Sequence, residues 1–542
     1  MNIDIAISGG TIVDGSGSSG FRADLGIRSG RIVEISCEST LRGNVNIDAK
    51  NLVVTPGFID IHTHSDFPLL QNRKAESAIR QGITTSVLGA CGRSCVPIND
   101  ETKELLFKDT VGYDPRVPVT WHGFGEYLSE FEKLGVAQNL AVLVAHNAVR
   151  IAVMGYDARK PTQDELEKMK DLVDEAMRAG AIGFSTGLAY PPGSNANTAE
   201  VIELASIAAK NGGFYFSHLR GTDGDFLAGV REALQVGAEA QLPVHMAHFC
   251  GFFGSSDETQ RGLRMIEEAR TKGADVTCDL YPYLAGANPL MAFLPTSIFD
   301  QSWEELVRKI RSPDEQQKLV KNILTSDIGR FWLTKSETLQ RIKLFDITKP
   351  ENEKLKGMTL ADIAVHKNLA PIDAILELLA DERDEMFKAG VIVDWMDEND
   401  NLTVFEKAYH MVGSDGIALA PYGELASFKF HPRSYGAFPR VIAKYVRELG
   451  IISLEEAIRK MTSLPAKRIG LRDRGMIKED MWADVVIFDY EKIRDTSSYE
   501  HPALYPEGIS KVILNGEVVI ADGEHTGNLP GRVLRHVSHQ RE

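Results

Sequence analysis

The chain has 542 residues, 43% of them hydrophobic and 25% charged, as expected of a soluble globular protein with a large core. Its net charge of −16, with no Lys/Arg-rich block, argues against nucleic acid and anionic membranes as partners. The start MNIDIAISGGTIVDG has no basic region leading into an apolar one, no apolar run approaches the roughly 20 residues of a membrane span, and a cytoplasmic location is expected.

From the N-terminus, IDIAISGGTIVDG and FRADLGIRSGRIVEIS read as short strands with glycine-rich turns. The same texture returns only near the end, in ADVVIFDYEKIRD and GISKVILNGEVVIADGEHTG. A small β domain built from residues 1–54 and 478–542 is therefore expected, bracketing the remainder. The run Leu52–Ile61, broken by Pro56-Gly57, reads as a buried strand that leads into His62 and His64.

Within 55–477, short apolar runs alternate with helical patterns, which predicts a parallel sheet of βα units. The eight candidate strands are GFIDIHTH, ITTSVLGACG, LAVLVAHNA, AIGFSTGLAY, GFYFSHLR, LPVHMAHFC, ADVTCDLYPY and HMVGSDG. A helix is clear in PTQDELEKMKDLVDEAMRAG, with acids in its first turn and Gly180 at its end. The segment 288–405 separates the last two strands and reads as an insertion with several helices. Eight such units predict an α/β fold of the (β/α)8 barrel type.

The polar residues fall at the strand ends: His62 and His64, Cys91, His146, His218, His248 and Asp415. In such a barrel these ends share one face, where catalytic groups collect. A lone His-x-His pair means little, because 14 histidines in this length give roughly a third of one pair by accident. Repetition over most of the strands makes a metal site the better reading. His218 and His248 are the leading ligands. Cys91 sits in the turn Gly89-Ala90-Cys91-Gly92, no lysine ends any strand, and its thiolate suits Zn²⁺. Cys37 and Cys278 read as inert, and the five scattered cysteines suggest no disulfide framework. His245 should point to the opposite strand face from His248, as a structural residue. His146 reads as orienting a neighbour. Asp415, either a turn residue or a proton acceptor, becomes in a metal pocket the candidate base.

The chain resembles the D-aminoacylases, or N-acyl-D-amino-acid deacylases, of the amidohydrolase superfamily. The motifs that carry the likeness run nearly end to end: GFIDIHTHSD, GITTSVLGACG, GAIGFSTGLAYPPG, YFSHLRG, VTCDLYPYLAG, GSDG, HPRSYGAFPRV, EEAIRKMTSLPAKRIGLRDRG and NLPGRVLR. The resemblance implies the barrel with its small β domain and an insertion after the seventh barrel strand. It implies one tight Zn²⁺ on Cys91, His218 and His248, with a second, weaker position at His62 and His64. Asp415 matches the catalytic acid/base, Arg433 the residue that binds the substrate carboxylate, and Tyr281 a further substrate contact; Tyr190 of GLAYPPG is grouped with these.

Two departures bear on the substrate. Cys250 stands where the resembled enzymes carry a lysine, and Ala287 where they carry a serine. Phe252 and Phe253 follow close by, so Cys250 and Phe252 are expected to shape a pocket for a bulky apolar or aromatic group. The expected function is zinc-dependent hydrolysis of a linear N-acyl compound. Cyclic-amide or carbamate hydrolysis, as in hydantoinases and dihydroorotases, is the alternative, and a non-catalytic metal- or ligand-binding protein is a third reading. The expected partner is a small molecule, and assembly into a homo-oligomer stays open.

Overall fold

The computed structural model describes residues 2–38, 41–221, 225–252, 256–299, 303–382, 389–428 and 431–536. Its fold is mixed α/β. Strands β1 (Ile5–Ile12), β2 (Phe21–Arg28), β3 (Arg31–Ser36), β4 (Val45–Asp48) and β5 (Val53–Pro56) come first. Next are β6 (Phe58–Asp60), β7 (Ile83–Leu88), β8 (Asn139–Val142), β9 (Val144–Ala145), β10 (Gly183–Gly187), β11 (Phe214–His218), β12 (Val244–Met246) and β13 (Val276–Leu280). After these come β14 (Ala285–Pro289), β15 (Ile342–Asp346), β16 (Gly390–Asp394) and β17 (His410–Val412). The last are β18 (Val485–Phe488), β19 (Ile509–Leu514), β20 (Glu517–Ala521) and β21 (Glu524–His525).

The two chain ends share one sheet, ordered β21-β20-β19-β18-β5-β1-β2-β3, with β4 paired to β1. The run Leu52–Ile61 is two strands rather than one. β5 joins the terminal sheet, whereas β6 pairs in parallel with β7. Gly57 marks the division, and a Cβ there would lie 2.1 Å from Thr84 Oγ1. Only glycine fits at that crossing. The closing segment Pro530–His536 leaves the sheet, and Val136 and Leu140 bridge in parallel to Pro530 and Val533. A buried polar knot secures this junction: Asn139 Nδ2 donates to Asp484 Oδ2 at 3.0 Å, and Asn515 Nδ2 to Asn139 Oδ1 at 2.9 Å.

The eight expected strands all form, with the third divided into β8 and β9 at Leu143. They pair in parallel as β6-β7-β8 and as β9-β10-β11-β12-β13-β17, and a parallel bridge joins Thr63 to Gly416. Each is buried throughout, as parallel strands covered by helices must be. The helix Gln163–Ala179 begins with a capping box at Thr162 and Glu165 and stops at Gly180, where φ is 114°. Between β13 and β17, helices such as Pro313–Thr325 and Pro371–Asp381 accompany a three-stranded sheet, β14-β16-β15. Sequence reading found the helices there and missed the sheet. Among the described residues no helix is long and apolar enough to cross a membrane.

His146 is a correction. It does not orient a neighbour at the strand-end face, because β9 stops at Ala145 and His146 begins the helix His146–Met154. Its Nε2 lies 3.0 Å from Glu200 Oε1, which also receives Arg150 Nη1 at 2.7 Å. This buried cation–carboxylate group ties two helices together. Glu200→Ala should lower stability by about 3–5 kcal/mol, because it leaves Arg150 buried without its counter-charge. Chemical denaturation checks this; a loss below about 1 kcal/mol, the value of an exposed pair, would contradict it.

Candidate metal centre and active site

The strand ends bring together His62, His64, Cys91, His218, His248 and Asp415. Three donor sets each have ligand atoms within 4.8 Å of one another: His62–His64–Cys91, Cys91–His218–His248 and His62–His248–Asp415. Cys91 Sγ lies 3.2 Å from His62 Nε2 and 3.9 Å from His248 Nε2, which is 2.6 Å from His218 Nδ1. Asp415 Oδ1 lies 3.0 Å from His64 Nε2 and 3.3 Å from His62 Nε2, and its Oδ2 lies 2.8 Å from Arg433 Nη1.

Strand alternation alone cannot aim these side chains. Cys91, His248 and Asp415 take left-handed backbone conformations, with φ of 53°, 32° and 49°. Each strand thus ends in a reversed residue whose side chain turns inward. Such conformations cost about 1–3 kcal/mol apiece and persist where the surroundings over-determine them. Around Cys91 the surroundings are dense. Asp66 accepts from Gly89 N at 3.2 Å and Ser94 Oγ at 2.8 Å, and Ser185 Oγ accepts from Gly92 N at 3.1 Å. A Cβ on Gly187 would stand 2.1 Å from the Cys91 carbonyl oxygen.

The reversal at His248 also corrects the reading of His245. Its side chain does not face away from the site: Nε2 donates to Asp279 Oδ2 at 2.9 Å, beneath the cluster of candidate ligands. Its role is structural all the same. Asp279, which sequence reading missed, accepts from His62 Nδ1 at 3.1 Å and from the His248 backbone N–H at 2.9 Å. The signal for it was a carboxylate inside a fully buried strand, VTCDL. Asp60, also missed, accepts from the backbone N–H groups of His62 and Ser414 and so couples the first and last strand ends.

Electrostatics reflects this crowding of anions. Burial alone would raise the Cys91 thiol, but the charge of His62 and contacts with His218, His248 and His62 take it well below its usual range. Burial likewise opposes ionisation of Asp415, and Arg433, His62 and His64 overcome it. His62 is pulled the other way: burial lowers it, yet Asp279, Cys91 and Asp415 together hold it well above the usual imidazole value. His218 is pushed down to about 4 by burial and by His248, which leaves it a neutral nitrogen donor. Asp60 is pushed up to about 7 by burial.

This donor set fits a divalent metal. A thiolate and neutral imidazoles are the ligands zinc prefers, and three protein ligands leave a position open for substrate. With a metal ion in place of the proton on His62 Nε2, the hydrogen bond from Nδ1 to Asp279 would turn that nitrogen's lone pair toward the cluster, the usual carboxylate–histidine support of a metal ligand.

Above the cluster is a cavity of about 570 Å³ lined by His64, Cys91, His218, His248 and Asp415. Arg433, Tyr281, Tyr190, Cys250 and Phe252 line it too; His62 lies fully buried beneath. The Arg433 guanidinium sits over the Tyr281 ring at 4.7 Å, and Tyr190 packs 4.5 Å from His218. Phe253 lies outside the described residues. Arg93, Trp332 and Trp395, which also line the cavity, were not anticipated.

Cys91→Ala should cut metal bound by the purified protein several-fold, the thiolate being the one soft anionic ligand of its set. Elemental analysis after exhaustive dialysis measures this, and full occupancy in the variant would contradict the assignment.

Comparison with known proteins gives the family. The Amidohydrolase family model matches residues 46–295 and 423–520. A D-aminoacylase of Alcaligenes xylosoxydans xylosoxydans is 35% identical over 538 residues, 98% of this chain and 97% of that one. An N-acyl-D-glutamate deacylase from the same organism is 32% identical, covering 98% and 96%. The crystal structure of the N-acyl-D-glutamate deacylase of Bordetella bronchiseptica, with zinc and a phosphonate inhibitor that mimics the tetrahedral intermediate, has a TM-score of 0.80. It is 31% identical and covers 99% of this chain and 100% of its own. The chain belongs to the amidohydrolase family, among the D-aminoacylases or N-acyl-D-amino-acid deacylases.

Proposed function

We propose that the protein is a metal-dependent amidohydrolase that cleaves the amide bond of linear N-acyl compounds. The observation that carries this reading is the convergence of Cys91, His218 and His248 beside a carboxylate that is itself held by Arg433. Full-length likeness to deacylases favours a linear amide over the cyclic-amide or carbamate alternative, and a structured base beside the ligands speaks against a purely binding role. We read the parallel strands as one (β/α)8 barrel, with the terminal strands as a small β domain and 288–405 as an insertion. A cytoplasmic enzyme with one tight zinc on Cys91, His218 and His248 is consistent with this, with His62 and His64 offering a weaker second position.

Zinc held there would supply Lewis acidity, lowering the pKa of water and polarising the amide carbonyl. The chain's own residues do the rest. Asp415 is kept ionised by Arg433 and the histidines, so it can take a proton from the attacking water as the oxygen bonds to the carbonyl carbon. It then returns that proton to the nitrogen as the C–N bond breaks, and the products are an amine and a carboxylic acid. An amide requires this delivery, because an unprotonated amine anion is a very poor leaving group. Arg433 and His64 grip opposite carboxylate oxygens and fix the direction of transfer. Tyr281 supports Arg433 from below its guanidinium plane, and Tyr190 covers His218.

Asp415→Asn should retain metal and fold yet lose about 10²–10⁴-fold in kcat, the typical contribution of a proton shuttle. Steady-state assay of an N-acyl amino acid, paired with metal analysis, tests it. Hydrolysis at near-parental rate would reduce Asp415 to a turn residue.

A further inference from the structure

One wall of the cavity is aromatic. Phe252, Phe293, Trp332 and Trp395 line it, the last three from the segment between β13 and β17. The Phe252 centroid lies 5.0 Å from that of Trp395 and 5.7 Å from that of Trp332. Phe293 stands 4.9 Å from Trp332 at an interplanar angle of 81°. Packed edge to face about Trp332 and tilted at Trp395, these rings hold one another in place and offer a preformed surface to a further ring.

The wall has a fixed position relative to the chemistry. From Asp415 the contacts run to Arg433 and on to the face of Tyr281. Beside Tyr281 is Trp395: a Cβ on Gly286 would lie 3.1 Å from the Tyr281 hydroxyl and 2.6 Å from Trp395 Nε1. The wall therefore begins beyond Arg433 and Tyr281, on the flank of the cavity to which those two residues connect the carboxylate that hands a proton to the departing nitrogen. Cys250, buried between His248 and Phe252, places a small side chain, and no basic one, on this flank. The His218 flank differs, since Tyr190 covers the imidazole and Arg93 lies 4.5 Å over the Tyr190 ring.

Resting on the amide-hydrolase reading, we propose that this wall receives the amine side of the substrate and selects an aromatic ring there. The substrate class is N-acyl arylalkylamines, with or without an α-carboxylate. Among the described residues on this flank, the guanidinium that lines the cavity is that of Arg433, and it already serves Asp415. Ring contact, more than charge, then sets specificity. Hydrolysis joins water to the acyl group and releases the arylalkylamine with the proton returned by Asp415.

Three compounds test this: N-acetylphenylalanine (both enantiomers), N-acetylalanine, which lacks the ring, and N-acetylphenethylamine, which lacks the carboxylate. Losing the ring should lower kcat/KM about tenfold or more, and losing the carboxylate should lower it less. Trp332→Ala should shrink the penalty for losing the ring toward unity. A larger penalty for the carboxylate than for the ring overturns the inference and leaves the hydrolase reading intact. Aromatic selection confined to the acyl side, seen as preference for N-benzoylalanine over N-acetylphenylalanine, also overturns it. Hydrolysis of none of these and of no other N-acyl compound overturns both. The wild-type comparison stands even if the Trp332 variant does not fold.

Discussion

The carboxylate of Asp279 is the point on which the site depends. It is fully buried, a position that strongly disfavours its charge, yet its proton affinity is driven far below the ordinary carboxylate range. His62, His245 and the backbone N–H of His248 hold it there, and they come from two other strands. One interaction thus ties β13 to β12 and to the end of β6. It also sets the tautomer of His62, leaving Nε2 free to face Cys91 and Asp415. Charge satisfied beneath the cluster lets a second set of anions gather above it.

The second constraint is local backbone strain. Cys91, His248 and Asp415 each reverse the chain at a strand end, and none is glycine. Burial supplies the restraint: the surrounding strands are buried throughout, and Gly187 admits the Cys91 carbonyl at a distance no side chain would allow. Function enters through the same geometry, since the reversals converge a thiolate, an imidazole and a carboxylate on one cavity floor. Most of the aromatic wall above comes from the segment between β13 and β17, so the candidate ligands and most of that wall reside on different elements.

Much of this was legible in the sequence, for a physical reason. Parallel strands must be apolar where they are buried, so His218, His248, Cys91 and Asp415 stand out where the apolar runs stop. His245 was misjudged because alternation fails across His248, and no residue type announces a left-handed histidine. His146 was misjudged because the helix starts directly at the strand's end. Asp279 was hidden inside an apolar strand, where its partners are far away in sequence. The strand Ala285–Pro289 shows no apolar alternation and is recruited by pairing with Gly390–Asp394, a long-range contact invisible to local pattern. The aromatic wall was glimpsed only at Phe252, because Trp332 and Trp395 reach the cavity through that fold.

The central claim is that a thiolate and imidazoles from separate strand ends bind one metal ion. X-ray absorption at the zinc edge of the metal-loaded protein measures this directly. The account requires one sulfur at about 2.3 Å together with nitrogen or oxygen neighbours at about 2.0–2.2 Å. A first shell of nitrogen and oxygen alone, with no sulfur, would contradict it.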